Sequence, residues 1–259
     1  MSLLNSYIHN YLRIYTTEFF MTNKNILIIG SSGGIGKAFA NFYSQDPNNK
    51  IIGLSRSQEN FEESLYANHH IDLEKEDTIE NAALTVSEHS PFQLIIIASG
   101  VLHAENLAPE KSYKHISAEN FKKILNVNTI GPALVGKFFI PLLDSYSPSV
   151  MAFLSARVGS ISDNRLGGWH AYRSSKASLN MIIKNFSLEV SRTNKQASII
   201  GLHPGTVNTE LSKPFQKNVA ESKLFSPEFS AGAMAKVIDN LKQEDTGSVL
   251  AFDGSKIES

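Results

Sequence analysis

The stretch Ile26-Leu27-Ile28-Ile29-Gly30-Ser31-Ser32-Gly33-Gly34-Ile35-Gly36 runs from an apolar segment into a glycine-rich turn, and a helical pattern follows at once. The apolar segment shows no polar alternation, which is typical of a strand covered by helices on both faces. A glycine-rich turn at a helix N-terminus presents free N–H groups and the positive end of the helix dipole, and both favour a phosphate. The stretch therefore predicts a nucleotide-binding turn after the first strand, although a tight turn without a ligand is the alternative.

Outside this stretch, short β-rich runs alternate with longer helical patterns. Such alternation predicts parallel strands joined by right-handed crossovers. The predicted fold is α/β, a Rossmann-type doubly wound parallel sheet of about seven strands in three α/β/α layers. Strands are predicted at 26–29, 51–54, 69–71, 94–98, 150–154, 197–202 and 249–251, and helices at 35–44, 75–88, 118–143, 170–192 and 227–241.

No linker-like change in composition divides the chain, and its length of 259 residues suits one α/β domain. Residues 21–259 are therefore predicted to form a single Rossmann-fold domain. Polar residues interrupt the apolar ones in residues 1–20, which is not typical of a secretory signal. These residues are predicted to be an N-terminal appendage. Met21 directly precedes the segment that leads into the first strand, so it is a candidate for the native start.

The composition excludes several classes of function. With 24 Lys and Arg against 25 Asp and Glu, the net charge is −1, which gives no basic field to attract nucleic acid. The chain has no cysteine, so disulfides and thiolate or zinc–sulfur chemistry are excluded. It has no apolar run of about 18 residues that would span a membrane. The eight histidines show no metal-ligand spacing. We expect a cytoplasmic protein with no metal, nucleic-acid or membrane partner.

The glycine-rich turn also matches a different motif. Gly30-Ser31-Ser32-Gly33-Gly34 has the G-x-S-x-G pattern of the nucleophile elbow of α/β-hydrolases, with Ser32 as the nucleophile. Several strands should precede such an elbow, and only one does here. A serine hydrolase is therefore the weaker alternative.

The second predicted strand ends in Ser55-Arg56-Ser57, at the place where an acidic residue would hold the ribose 2′-OH of NAD. No acidic residue is present there. Arg56 can instead pair with a 2′-phosphate, which favours NADP(H) over NAD(H) as the cofactor. The alternative is a solvated surface arginine.

Tyr172 and Lys176 are four residues apart at the start of a strong helical pattern, so they share one helix face. A phenol has a pKa near ~10 and is a poor acid or base at neutral pH. A nearby ammonium lowers that pKa, so the pair suits proton transfer to a carbonyl oxygen. The alternative is a half-buried tyrosine beside a solvated lysine.

Taken together, these motifs resemble the classical short-chain dehydrogenase/reductase family from about residue 24 to residue 257. The sequence from Ser155 to Ile161, with the later Gly167-Gly168 and Ala171-Tyr172-Arg173, is most similar to the carbonyl-reductase subgroup that includes the sniffer and C-signal proteins. The matching pieces are Gly30-x-x-x-Gly34-x-Gly36, Asp72, Val127-Asn128-Thr129, Tyr172-x-x-x-Lys176 and the stretch from His203 to Thr209.

The resemblance implies roles for individual residues. Tyr172 would be the acid/base, Lys176 would lower its pKa and hold the nicotinamide ribose, and Asn128 would hold a proton-relay water. A homodimer or homotetramer is implied as well. The cofactor would be bound by Gly30, Ser32, Gly34, Ile35, Gly36, Arg56, Asp72, Leu73, Ser99, Gly100, Tyr172, Lys176, Pro204, Thr206 and Val207.

Pro132 gives a physical reason to expect a special turn at Asn128. Proline has no N–H, so within a helix it leaves the carbonyl four residues earlier without its partner, and Gly131 softens the same turn. The freed Asn128 carbonyl is a candidate seat for a water. An ordinary kink is the alternative.

The chain departs from the family at the oxyanion-binding serine. Counting back from Tyr172 places that position at Gly159, and an ungapped match to the strand end places it at Ala156. Ser155 is the nearest hydroxyl and is predicted to be the fourth catalytic residue, with Ser160 as the second choice.

Two loops complete the prediction. Segment 204–227 is predicted to be a substrate lid. Its apolar residues are Leu211, Phe215, Leu224 and Phe225. Together with Trp169 they either face an apolar carbonyl compound or serve only as packing residues. Segment 104–115 is predicted to be a polar surface loop.

The sequence thus predicts an NADP(H)-dependent oxidoreductase that transfers hydride between nicotinamide and a small-molecule carbonyl or secondary alcohol, with Tyr172 as acid/base. One alternative is a cofactor-binding signalling or regulatory protein with little turnover. The other is the hydrolase with Ser32 as nucleophile.

Overall fold

Seven parallel strands form the central sheet, in the order β3-β2-β1-β4-β5-β6-β9. The computed structural model describes residues 24–57, 65–105 and 107–258. From β1 the chain passes outward to β2 and β3 and then returns to β4 on the other side of β1, which confirms the predicted doubly wound fold. The strands are β1 (Asn25–Ile29), β2 (Lys50–Ser55), β3 (Ala67–His70), β4 (Leu94–Ile97), β5 (Ser149–Leu154), β6 (Ala197–His203), β7 (Thr206–Val207), β8 (Leu224–Phe225) and β9 (Val249–Ala251).

Helices cover both faces of this sheet. Five of the described segments were predicted as helices, and four of them form continuous helices at nearly the predicted positions. The α-helices are α1 (Gly34–Tyr43), α2 (Glu76–Val86), α3 (Ala118–Leu125), α4 (Gly131–Phe139), α5 (His170–Thr193) and α6 (Pro227–Asp239).

The helix predicted at 118–143 is not continuous. A π-helical turn, Asn126–Ile130, separates α3 from α4, and a short 3-10 turn follows at Ile140–Leu142. Pro132 lies in the first turn of α4, where its missing N–H removes a helical hydrogen bond. π-turns inside helices often occur at functional sites, and this one contains Asn128.

The strands place alternate side chains in two apolar clusters, one on each face of the sheet. Leu27 and Ile29 pack against α2, α4 and α5, whereas Ile26 and Ile28 pack against α1 and α6. All four side chains are 0% exposed, and each such burial contributes about 1.5–3 kcal/mol relative to an exposed side chain. This two-sided burial explains why the strands read as unbroken apolar runs.

Two expectations about the chain ends concern residues outside this description. The predicted appendage at 1–20 lies outside the described residues, and the assignment of 21–259 to one domain stays a prediction.

Among the described helices, none is long and apolar enough to cross a membrane. In the same part of the chain, no group of three or more histidine, aspartate or glutamate residues is placed to hold a metal ion.

Candidate active site

A groove of about 490 Å³ opens at the carboxyl ends of the parallel strands. Gly30 follows β1, Arg56 follows β2, and Ser99 and Gly100 follow β4, and all four line the groove. β1 and β4 are the strands between which the chain changes direction across the sheet. Ligands of open α/β sheets bind in this crevice, so the groove is the candidate cofactor site.

The glycine-rich turn forms one wall of the groove with main-chain atoms. Gly30 has a φ of 90°, and a Cβ there would lie 2.7 Å from the Ser99 hydroxyl oxygen. A Cβ on Gly36 would lie 2.1 Å from the Gly30 carbonyl oxygen, so α1 packs directly on the turn. Gly33 is the N-cap of α1, and no side chain caps the helix there. The open N–H groups and helix dipole fit a pyrophosphate group.

The far end of the groove carries several charged side chains. Arg56 is exposed, and its guanidinium has no hydrogen-bond partner among residues 24–57, 65–105 and 107–258. Asp72 lines the groove, and its Oδ1 accepts a hydrogen bond of 3.2 Å from the Glu74 N–H. Sequence reasoning did not identify Glu74 and Lys123, which also line this end and form an ion pair at 2.7 Å. Nothing local in the sequence indicates that pair, because the two residues are brought together by the fold.

Seven of the fifteen predicted cofactor residues line the groove, and eight do not, among them Tyr172 and Lys176. Pro204, Thr206 and Val207 follow β6, where the Pro204 carbonyl accepts a hydrogen bond from Ser230 and Val207 is buried. Gly34, Ile35 and Gly36 begin α1 behind the turn. The predicted residues that line the groove itself are Gly30, Ser32, Arg56, Asp72, Leu73, Ser99 and Gly100.

Tyr172 and Lys176 lie in the first two turns of α5, beside the end of β5. Lys176 is 3% exposed, and its ammonium donates a hydrogen bond of 2.8 Å to the Leu154 carbonyl oxygen. The same ammonium lies 5.8 Å from the centre of the Tyr172 ring. A Cβ on Gly100, which lines the groove, would lie 3.7 Å from this ammonium, so Lys176 lies next to the groove.

Burial shifts the pKa values of both residues. It raises the pKa of the Tyr172 phenol to about 12 and lowers the pKa of the Lys176 ammonium to about 8. The direction for Tyr172 is opposite to the lowering that the sequence predicted from its neighbouring ammonium. Desolvation is the cause of the shift of Tyr172, and the Lys176 ammonium is bonded to the Leu154 carbonyl.

Asn128 joins the loop after β4 to α5. Its side chain forms two hydrogen bonds of 2.8 Å with the main chain of Val101, one to the carbonyl and one from the N–H. The Asn128 amide also donates to the Ser175 hydroxyl at 3.2 Å, and that hydroxyl donates to the Tyr172 carbonyl at 2.7 Å. Asn128 is 0% exposed, so its side chain is fully engaged in this link.

The two candidate serines are both tied to the scaffold. Ser155 is 3% exposed, and its hydroxyl donates to the Asn180 side-chain oxygen at 2.5 Å. Ser160 is 2% exposed and accepts from the Asp163 N–H at 3.1 Å. Ala156 lies between them in the sequence, and its methyl side chain cannot donate a hydrogen bond. The role predicted for Ser155 stays a prediction, and it requires the bond to Asn180 to give way.

A row of aromatic rings leads away from Tyr172. Its ring lies 6.1 Å from that of Trp169, which lies 5.0 Å from Phe215, and Phe215 lies 5.7 Å from the His103 ring. Three separate loops thus meet beside Tyr172. By contrast, Phe225 packs against Phe229 and Phe252 with ring centres 4.8 and 4.7 Å apart, so within the predicted lid Phe215 is near Tyr172 and Phe225 belongs to the packing.

His203, at the end of β6, is a neutral imidazole in this environment. Burial, assisted by Arg157 and opposed by Asp253, lowers its pKa to about 4. Its Nδ1 is buried and has no hydrogen-bond partner among the described residues.

Ser32 is exposed on the glycine-rich turn and lines the groove. Within the described residues it has no histidine or other hydrogen-bond partner. A nucleophilic serine needs a base within hydrogen-bond reach, so the geometry does not support the hydrolase alternative.

Comparison with known proteins decides the family. A family model described as short chain dehydrogenase matches residues 24–220, more than half of the chain. The chain belongs to the short-chain dehydrogenase family. This membership confirms the family predicted from the motifs and makes the chain an oxidoreductase with a nicotinamide cofactor.

Curated relatives match most of the chain or part of it. An uncharacterized oxidoreductase of Schizosaccharomyces pombe is 28% identical over 255 residues, which cover 91% of this chain and 98% of that protein. The C-signal protein of Myxococcus xanthus is 31% identical over 135 residues, covering 52% of this chain and 76% of that protein. The resemblance had named the C-signal protein, and it is among the matches.

Solved structures of other proteins share the fold. An NADPH-bound carbonyl reductase from chicken fatty liver has a TM-score of 0.79 at 22% identity, covering 92% of this chain and 100% of that one. Carbonyl reductase Sniffer of D. melanogaster has a TM-score of 0.79 at 20% identity, with the same coverage. These likenesses confirm the three-layer sheet and helix arrangement.

Proposed function

We propose that this chain is an NADPH-dependent reductase of small-molecule carbonyl compounds. The observation that carries the proposal is the Tyr172–Lys176 pair, a half-buried phenol and a buried ammonium, next to Gly100 of a groove whose main-chain turn fits a pyrophosphate. The row of rings from Tyr172 to Phe215 gives the same site an apolar wall. Such a wall suits an apolar carbonyl compound.

In this proposal the groove beside Gly30, Arg56 and Gly100 would hold a nicotinamide dinucleotide, which would supply the hydride for the carbonyl carbon. Tyr172 donates its hydroxyl proton to the carbonyl oxygen, so carbonyl, hydride and proton together give the alcohol. The raised pKa of Tyr172 keeps the phenol protonated at neutral pH, as a proton donor requires. Lys176 stabilises the phenolate that remains and holds a ribose hydroxyl. Asn128 fixes Val101 and, through Ser175, the first turn of α5.

The proposal is tested by titrating purified protein with NADPH and NADH and then following nicotinamide absorbance with a panel of aldehydes, ketones and quinones. We expect tight NADPH binding, weaker NADH binding and consumption of NADPH with at least one apolar carbonyl. Failure to bind either dinucleotide would overturn the proposal.

Arg56 is proposed to select NADPH. Its guanidinium is exposed at the groove and has no partner within the described residues. A charge-assisted pair with a 2′-phosphate is worth about 1.5–3 kcal/mol, or about 10- to 100-fold in affinity. The solved carbonyl reductase from chicken, which binds NADPH, supports the same cofactor.

Replacing Arg56 by alanine should weaken NADPH binding by about 10- to 100-fold and leave NADH binding nearly unchanged. Isothermal titration with both dinucleotides measures the two effects. Lys122→Ala removes an equal charge from an exposed position on α3 and should change neither affinity. Equal losses for NADPH and NADH in the Arg56 variant would refute the assignment.

The rate of carbonyl reduction should fall as the pH rises through about 8, the pKa to which burial lowers Lys176. Below this pH Lys176 is an ammonium that favours the phenolate left by proton transfer, and above it the charge is lost. Tyr172, with its pKa near 12, stays protonated throughout this range. Since arginine keeps its charge, Lys176→Arg should lose this fall in the pH profile of kcat/KM. A wild-type profile that stays flat here would contradict the role of Lys176.

A second candidate is a cofactor-binding signalling or regulatory protein with little turnover. The bond between Ser155 and Asn180 favours it, because it leaves no free serine hydroxyl beside Ala156 to polarise a carbonyl. The C-signal relative is in accord with this candidate. NADPH binding without reduction of any carbonyl in the panel would favour it over the reductase. The oligomeric state and a cytoplasmic location stay predictions from the resemblance and the composition.

A further inference from the structure

Glu110 is a buried carboxylate in the segment that the sequence predicted to be a polar surface loop. It is 3% exposed, so for this residue the prediction was wrong. Its side-chain Oε2 accepts a hydrogen bond of 3.2 Å from the Ala171 N–H, and its main-chain carbonyl accepts one of 2.6 Å from the Trp169 N–H. Glu110 therefore binds the chain at two points where α5 begins.

The start of α5 has an unusual main-chain conformation. Gly167, Gly168 and Trp169 have φ values of 63°, 66° and 50°, all in the left-handed region. Trp169 is the N-cap of α5, and its side chain does not cap the helix. A non-glycine residue in this conformation costs about 1–2 kcal/mol, so contacts from elsewhere must hold it.

Glu110 provides those contacts. The first turn of α5 contains no acidic residue, and a carboxylate at a helix N-terminus is stabilised by the helix dipole and by the unpaired N–H groups. The second oxygen, Oε1, is buried without a hydrogen-bond partner among the described residues. An apolar residue would fill this space without that desolvation cost. The carboxylate thus has a role beyond packing.

Glu110 holds the part of the site that contains Tyr172 and Trp169. Tyr172 directly follows Ala171, and the Trp169 ring lies against the rings of Tyr172 and Phe215. A shift in the first turn of α5 would move the proton donor and the apolar wall together. Misplacement of reacting groups by about 1 Å can lower a rate by about 100-fold.

We propose that Glu110 is a positioning residue, which fixes Trp169 and Tyr172 relative to each other by anchoring the start of α5. The claim that this affects turnover rests on the proposed reductase function. The anchoring itself does not, because it is visible without substrate.

The test uses the fact that Trp169 is the only tryptophan of the chain, so tryptophan emission reports on this wall alone. Glu110→Ala removes the acceptor, and Glu110→Gln keeps an oxygen for the Ala171 N–H. Glu105→Ala removes the same charge from an exposed position in the same loop and is the matched control. All four proteins, including wild type, are compared for emission, NADPH affinity and kcat.

For Glu110→Ala we expect a shifted Trp169 emission and a kcat lowered by at least about tenfold, with a smaller loss of NADPH affinity, because the phosphate turn does not belong to α5. Glu110→Gln should restore much of both signals, and Glu105→Ala should match wild type. A folded Glu110→Ala protein with wild-type emission or wild-type kcat would overturn the proposal. So would an equal loss of kcat in Glu105→Ala.

Glu110→Asp covers the case in which the alanine variant does not fold. It keeps the charge but draws the carboxylate back by one methylene, so we expect an altered Trp169 emission and a lower kcat. Wild-type values for both would overturn the proposal. If wild type itself reduces no carbonyl, the emission of these variants still decides the anchoring, and the reductase function alone fails.

Discussion

Replacing Tyr172 by phenylalanine is expected to abolish carbonyl reduction and to leave NADPH binding intact. General acid catalysis contributes about 100- to 10,000-fold to a rate, and this change removes the phenol whose ring centre lies 5.8 Å from the Lys176 ammonium. The ring itself, which packs against Trp169, is kept. Steady-state kcat and NADPH titration, measured on the same preparation, separate the two effects.

The matched control is Tyr43→Phe. Tyr43 is 5% exposed in α1, and its hydroxyl is buried without a hydrogen-bond partner within the described residues. Loss of that hydroxyl should leave kcat at the wild-type level. If Tyr172→Phe retained turnover, the acid/base assignment would be refuted. If neither wild type nor variant turned over while both bound NADPH, the signalling alternative would replace the reductase.

Replacing Gly36 by alanine is expected to lower both the stability of the protein and its affinity for NADPH. The new Cβ would lie 2.1 Å from the carbonyl oxygen of Gly30, which is main chain and cannot rotate away. Overpacking of this kind costs about 1–3 kcal/mol or more, and each kcal/mol lowers the Tm by about 2–4 °C in a domain of this size. Displacement of Gly30 also moves the N–H groups of the phosphate turn.

Gly33→Ala is the control for this substitution. Its Cβ would lie 3.4 Å from the same Gly30 oxygen, an ordinary contact, so its Tm should stay close to that of wild type. Thermal unfolding and NADPH titration of both variants give the comparison. A Gly36→Ala protein with unchanged Tm and unchanged affinity would mean that α1 does not need this close approach to the turn.

The sequence was sufficient to predict the main sheet because each strand has its own local pattern. The run from Leu94 to Ile97, for example, is buried on both faces and shows no alternation. β7 and β8 have two residues each, too few for any period to be visible. The π-turn at Asn126–Ile130 was only partly foreseen, because Pro132 predicts a disturbed helix but not its form.

In the candidate site, too, the sequence predicted the contacts between near neighbours in the chain and missed those between distant residues. Tyr172 and Lys176 are four residues apart, so helix geometry alone brings them to one face. Glu110 meets Ala171 across 61 residues, and no local pattern encodes that contact. The pairing of Ser155 with Asn180 is likewise a product of packing, and it turns a predicted catalytic hydroxyl into one held by the scaffold.

The link from Val101 through Asn128 and Ser175 to Tyr172 has a consequence for how the protein can evolve. At its groove end the link uses only the main chain of Val101, although the same residue lines the groove. Mutations can therefore change the side chain at position 101, and with it the shape offered to a substrate, while the hydrogen bonds that support Tyr172 persist. Substrate preference can diverge among descendants at this position without the loss of the chemistry.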